Sequence, residues 1–181
     1  NIASGQTLTL GGIGWSNTGT ITADGATVNL SGSFTTAGLG TFSAVGGTVN
    51  LTGTVDNTGN TLSLNSGLVS WYLRGGSIVG GTLTHSDTSK LVLTNSGGTL
   101  SGLTVAAGMV IDGTQLNSNY PQNSNSVSVV NGLVLNGSLL LGKADGSTSG
   151  TMYFNGMQTL SGTGVVTFGN SVNNGLIENG K

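Results

Sequence analysis

The chain has 181 residues, of which 34 are glycine, one is proline and none is cysteine; 6% are charged and the formal net charge is −2. Four basic side chains are too few to neutralise a run of phosphates, which excludes nucleic acid as a partner, and the lack of cysteine excludes a disulfide framework or a thiolate metal site. With so little charge the surface must consist of Thr, Ser, Asn and Gly, while regularly recurring Val, Leu and Ile and a mean hydropathy of +0.17 argue against disorder.

Repeats appear from the first residues onward. Gly5-Gln-Thr-Leu-Thr-Leu-Gly-Gly is followed by Gly25-Ala-Thr-Val-Asn-Leu-Ser-Gly and then by Gly46-Gly-Thr-Val-Asn-Leu-Thr-Gly. Each copy alternates polar and apolar residues between glycines, the period-two pattern of a strand with one buried face. Continued along the chain, the alternation predicts inward pairs at Leu8/Leu10, Val28/Leu30, Val49/Leu51, Trp71/Leu73, Leu91/Leu93, Met109/Ile111, Leu133/Leu135, Met152/Phe154 and Val166/Phe168. A second strand position repeats too, since Gly76-Ser-Ile-Val-Gly-Gly-Thr-Leu matches Gly98-Thr-Leu-Ser-Gly-Leu-Thr-Val at an offset of 22. The expected fold is all-β: one β-solenoid domain over residues 1–181, a parallel β-helix of about nine coils of roughly 20 residues, with little or no helix. Residues 113–126, almost without core residues and holding Pro121, read as a polar loop excursion.

Outward positions supply the candidate contacts. Alternation sends Tyr72 and Arg74 outward together, an arrangement that would let a sugar ring stack on the phenol while the guanidinium donates hydrogen bonds; a surface cation–π pair is the plainer reading. Tyr120, in the excursion, joins them as a candidate ligand contact. The residue between the inward pair is polar in the first coils (Thr9, Asn29, Asn50) and apolar or aromatic later, at Val92, Val110, Val134 and Tyr153. Those four are expected to form one apolar stripe and a lateral interface.

The Thr-Val-Asn-Leu copies, with Asp56-Asn-Thr-Gly-Asn-Thr-Leu and the later Gly-Gly-Thr-Leu-Ser-Gly stretch, resemble the strand repeats of filamentous-haemagglutinin-type and autotransporter-passenger adhesins. The resemblance implies a secreted, right-handed parallel β-helix within a longer bacterial surface fibre. The chain begins at Asn1 without the basic start and apolar stretch of a signal peptide, so it reads as a processed or excised piece; neither end carries an amphipathic helix or a charge cluster as a cap, so further solenoid is expected at both.

Chemistry is sparsely provisioned. The acids Asp24, Asp56, Asp87, Asp112, Asp145 and Glu178 are never adjacent and their spacings do not match one coil each. With His85 as the sole histidine, general-base and nucleophilic catalysis lack their parts, and neither a cofactor nor a metal site is expected. The Thr-x-Thr pairs Thr7/Thr9, Thr18/Thr20 and Thr82/Thr84 raise ice binding, but most coils lack such a pair and no stacked array is expected. The sequence therefore reads as a structural or adhesive segment of an extracellular fibre. Its partners are further copies or continuation of the same solenoid, with surface glycans next; a carbohydrate-binding module is the alternative, and a polysaccharide-active enzyme comes third. No membrane-spanning segment is expected, since no apolar run reaches about 18 residues.

Overall fold

The Thr-Val-Asn-Leu units become strands because β-branched residues fit a pleated surface and a single coil cannot bury its own apolar face. Thr27–Leu30 therefore lies on Thr7–Leu10 and under Thr48–Leu51, parallel and in register, with Leu8 opposite Val28 and Val28 opposite Val49. The computed structural model describes residues 1–64, 70–115 and 124–180.

Among these residues the first face of the resulting β-solenoid is a sheet of eight strands, from Thr7–Leu10 to Val165–Phe168. Eight rungs at one ladder spacing make a stack about 34 Å tall. A ten-stranded sheet covers the second face and most of the third. Ser33–Thr35, Thr54–Asp56 and Ser77–Val79 stack on the second face, and Thr61–Ser63 and Thr82–Thr84 on the third. Thr99–Val105 spans both, pairing Ser77 with Thr99 and Thr82 with Thr104, the offset of 22 seen in the sequence. Its corner falls at Gly102, φ 57°, where the register shifts between Ser101 and Leu103. Thr20–Thr22 and Thr41–Ser43 form a separate two-stranded sheet low on the third face. Among the described residues the one helical segment is the 3₁₀ turn Ala37–Leu39.

The core fills the rod from inside. Val28, Leu30, Val49, Leu51, Leu73, Leu91 and Leu93 are fully buried and Trp71 is nearly so, as the alternation predicts. Two expectations need correction. Among the described residues the longest face has eight rungs and the solenoid makes about seven turns, fewer than the nine coils expected, because Leu133/Leu135 and Met152/Phe154 are inward pairs of other faces. On the first face Ile111 is followed by Leu139, and Leu139 by Val166. Those two turns are longer than the earlier ones, so a fixed period loses count.

Ser124–Leu135 starts inside the segment read as an excursion. Asn125 is completely buried there, and its Nδ2 donates to the carbonyls of Gly113 (3.1 Å) and Gln115 (2.9 Å), fastening the incoming strand to the outgoing one. Residues 116–123, with Tyr120 and Pro121, lie outside the described residues.

Candidate functional site

On the first face the outward column runs Thr9, Asn29, Asn50, Tyr72, Val92, Asp112, Leu140 and Thr167. Its lower half is a ladder of side-chain hydrogen bonds. Asn29 donates to Thr9 Oγ1 (3.2 Å), Asn50 to Asn29 Oδ1 (2.9 Å), and Arg74 Nε to Asn50 Oδ1 (2.7 Å). Arg74 also places its Cζ 5.5 Å from the centre of the Tyr72 ring. Tyr72 and Arg74 thus meet as the sequence suggests, with the guanidinium orienting the phenol and tied down by Asn50. Tyr120 lies outside the described residues and is not placed.

The expected lateral stripe is not one surface. Val92 is 1% exposed and is aligned with Asp112, not with Val110. Val110 pairs with Ser138, one position earlier in the strand. Val134 pairs with Thr104 on the third face, and Tyr153 with Ser128 on the second. Val110 is displaced because Ile111, and not Met109, follows Leu91 in the inward column, which aligns Asp112 on Val92. Val134 and Tyr153 are displaced because the long turn after Ile111 puts the later alternations on other faces.

Four of the six acids are turn-builders. The carboxylates of Asp56, Asp87, Asp112 and Asp145 each accept the backbone N–H two residues on, from Thr58, Ser89, Thr114 and Ser147 at 2.7–3.0 Å. Each is an Asp-x-Ser/Thr triplet, and these Asx turns sit at separate corners. That signal was present in the sequence and is a better guide to the acids than their spacing. His85 Nδ1 lies against the Asp87 backbone carbonyl, not its carboxylate. Among the described residues no group of three His, Cys, Asp or Glu side chains could hold a metal ion, and no helix is long and apolar enough to cross a membrane.

Asp112 is the one of these carboxylates that the fold buries, at 2% exposure. Its Oδ2 receives Lys90 Nζ at 3.1 Å, and its Oδ1 receives the Thr114 hydroxyl at 2.6 Å. Burial pushes its acidity toward the neutral form, but the hydrogen bonds from Thr114 and Lys90 together outweigh it, and the carboxyl sits below its ordinary value of 3.8. A depressed carboxylate stabilises the fold above its unfolded pKa, and that contribution is lost as pH falls through the folded one. Asp112→Asn should therefore be less stable than the parent at neutral pH and lose less on acidification from about pH 4 to pH 2. Urea melts across that range check this; parallel losses in the two proteins would refute it.

The third face carries an array that the sequence reading dismissed. Thr20/Thr22, Thr41/Ser43, Thr61/Ser63 and Thr82/Thr84 occupy equivalent positions on either side of inward Ile21, Phe42, Leu62 and Leu83, and Thr104 continues the first column. Counting Thr alone hid the pattern, because Ser fills the second position in two rungs. The array is interrupted. Thr41–Ser43 pairs below with Thr20–Thr22, and Thr61–Ser63 pairs above with Thr82–Thr84, but the two middle strands do not pair with each other. A cleft of about 240 Å³ opens between them. Thr36, Thr41, Thr61, Ser63, Phe42 and Trp71 are among its lining residues.

Comparison with protein-family models, with curated proteins and with solved structures finds no match for this chain.

Proposed function

We propose that this chain is a structural or adhesive segment of an extracellular bacterial fibre, met at its ends by more solenoid. The observation that carries the reading is the state of the two end rungs. At the far end, among the described residues, Val165–Phe168 pairs only with Ser138–Leu141, and Gly175–Glu178 only with Ser149–Phe154. These two strands leave Val165 60%, Phe168 48% and Ile177 43% exposed. At the near end, among the described residues, Thr7–Leu10 pairs only with Thr27–Leu30, Leu8 and Leu10 are half-buried, and Ile13 is 98% exposed. Open parallel edges with apolar side chains invite another rung, whether from the continuing polypeptide or from a second copy stacked head to tail. The resemblance of the repeats to secreted adhesins supports the extracellular setting and a right-handed coil.

The test is assembly. Sedimentation and electron microscopy of this chain at rising concentration should show rods lengthening end to end, and Phe168→Lys with Ile177→Lys should hold it monomeric at an unchanged melting temperature. A parent protein that stays monomeric at millimolar concentration would sink the homopolymer form of the reading.

Tyr72 and Arg74 support a second reading, a carbohydrate-binding module, because the cation is held over the ring, with Arg74 exposed and Tyr72 half-buried. Selective binding on a glycan array, abolished by Tyr72→Ala, is the result that would favour it.

A further inference from the structure

Trp71 is 1% exposed, and its Nε1–H is the one buried side-chain polar group without a hydrogen-bond partner among the described residues. The other tryptophan, Trp15, donates its Nε1–H to the Ser31 carbonyl at 2.9 Å. A buried donor left unsatisfied is costly, and such groups are few in native proteins, so this one needs an account. Its place in the fold offers one. Trp71 belongs to the first face, but its ring reaches across the core to Phe42, edge to face at 5.7 Å, and forms part of the lining where the third face is parted.

The parting is local. At the same level the first face is closed by Thr27–Leu30 on Thr48–Leu51, and the second by Ser33–Thr35 on Thr54–Asp56. At the corner the Thr36 hydroxyl donates to Asn57 Oδ1 at 2.7 Å, which joins the two coils just before they diverge. Beyond that bond the edges of Thr41–Ser43 and Thr61–Ser63 face one another without pairing, so the backbone groups on the facing sides are left open to a guest.

The lining defines the guest by exclusion and by fit. None of the described lining residues is charged, so the cleft offers nothing to an anion or a cation. Its polar groups are the hydroxyls of Thr36, Thr41, Thr61 and Ser63, and its apolar ones include the rings of Phe42 and Trp71. A volume of about 240 Å³ lies below the range of about 300–1,000 Å³ usual for drug-sized ligands and suits one small ring. A neutral ring that carries both hydroxyls and a C–H face is a monosaccharide unit. Above and below the cleft the Thr and Ser columns continue on the same face, uncharged and rich in hydroxyls, as a track for neighbouring units of a chain.

We infer that the parted third face is a binding site for a neutral polysaccharide, one sugar unit of which enters the cleft and, as the buried Trp71 ring turns toward it, gives the indole N–H its acceptor. The site is separate from Tyr72 and Arg74 and does not depend on end-to-end assembly.

The test uses the chain labelled with ¹⁵N at its two tryptophans. Glucose, N-acetylglucosamine and cellotetraose are added in turn, up to about 50 mM for the monosaccharides, since weak single-unit binding is expected in the millimolar range. The expected result is a saturable shift of the Trp71 indole signal with at least one of the three, while the Trp15 signal, already bonded, stays in place. Thr61→Val with Ser63→Ala should weaken that binding at least several-fold with the melting temperature unchanged, a control that does not depend on Trp71→Phe folding. A Trp71 signal unmoved by all three sugars, or one that moves equally with that of Trp15, overturns the inference. Inhibition of ice recrystallisation by the chain, lost in Thr61→Lys and without any sugar response, overturns it in favour of ice as the partner of the Thr and Ser columns.

Discussion

Replacing Leu51 or Leu93 by Asp is expected to cost roughly 4 kcal/mol or more and to leave little folded protein at 37 °C. Leu51 is fully buried, with Leu30 below it and Leu73 above it in the same inward column, and Leu93 continues that column. A carboxylate there has neither water nor a cation, and the apolar contacts of the leucine are lost with it. Asn50→Asp, one position away, should cost only about 1 kcal/mol. Asn50 is 9% exposed, and the change sets a carboxylate oxygen against Asn29 Oδ1, but it also turns the Arg74 hydrogen bond into an ion pair. Thermal melts followed by circular dichroism rank the three. The reverse order would mean that the strand is shifted by one residue, which exchanges its inward and outward sets. Because rungs interact chiefly with their neighbours, the Leu51 lesion should also loosen Val28–Leu30 and Trp71–Leu73 before it reaches the far end, which hydrogen exchange resolves.

The inward set around Leu51 was legible because the first five rungs hold a steady spacing and a strict alternation. From Leu8 to Leu91 the first-face positions follow one another at 20 to 22 residues, and the structure pairs them as the repeat implies. Past Ile111 the period fails. Leu133 alternates as regularly as Leu91 does, yet it is stacked on Leu103 on another face, and alternation carries no label for the face it belongs to. The lateral stripe was drawn across that break, which is why Val134 and Tyr153 fall on other faces, while Val110 misses Val92 because the strand before the break is set with Asp112, two residues on, in that column. Tyr72 and Arg74 were legible, since residues two apart in a strand share a side. The cleft was not. It depends on Thr41–Ser43 failing to pair with Thr61–Ser63, and nothing in Thr-Phe-Ser or Thr-Leu-Ser distinguishes a paired strand from an unpaired one. Asn57 and Asn125 were hidden for a related reason. Asn125 lies in the stretch read as a polar excursion and Asn57 in a polar repeat unit that marks no position as inward, whereas both are completely buried because they bond the carbonyls of a corner.

Asn57→Ala is expected to destabilise the rod by about 3 kcal/mol, an unusual cost for removing a polar side chain from a corner. Asn57 is fully buried and joins three successive coils. Its Nδ2 donates to the carbonyls of Gly80 and Thr82, both at 3.1 Å, and its Oδ1 accepts the Thr36 hydroxyl at 2.7 Å. Truncation leaves two carbonyls and a hydroxyl without that partner in a place water does not readily reach, and each such loss costs about 1 kcal/mol or more. The corner that receives these bonds is built around Gly81, φ 67°, where an added Cβ would run into the Asn57 carbonyl oxygen and Nδ2. Gly81→Ala therefore pays for a left-handed backbone and for a displaced corner, and should cost a similar amount. The two changes damage the same contacts, since moving residues 80–82 away from Asn57 breaks the bonds that truncating Asn57 removes. A double-mutant cycle on urea melts should then give a double variant at least about 1 kcal/mol less unstable than the sum of the single changes. Additivity within about 0.5 kcal/mol would show that the Asn57 bonds survive in Gly81→Ala, and that the corner is held by its backbone ladder rather than by this side chain.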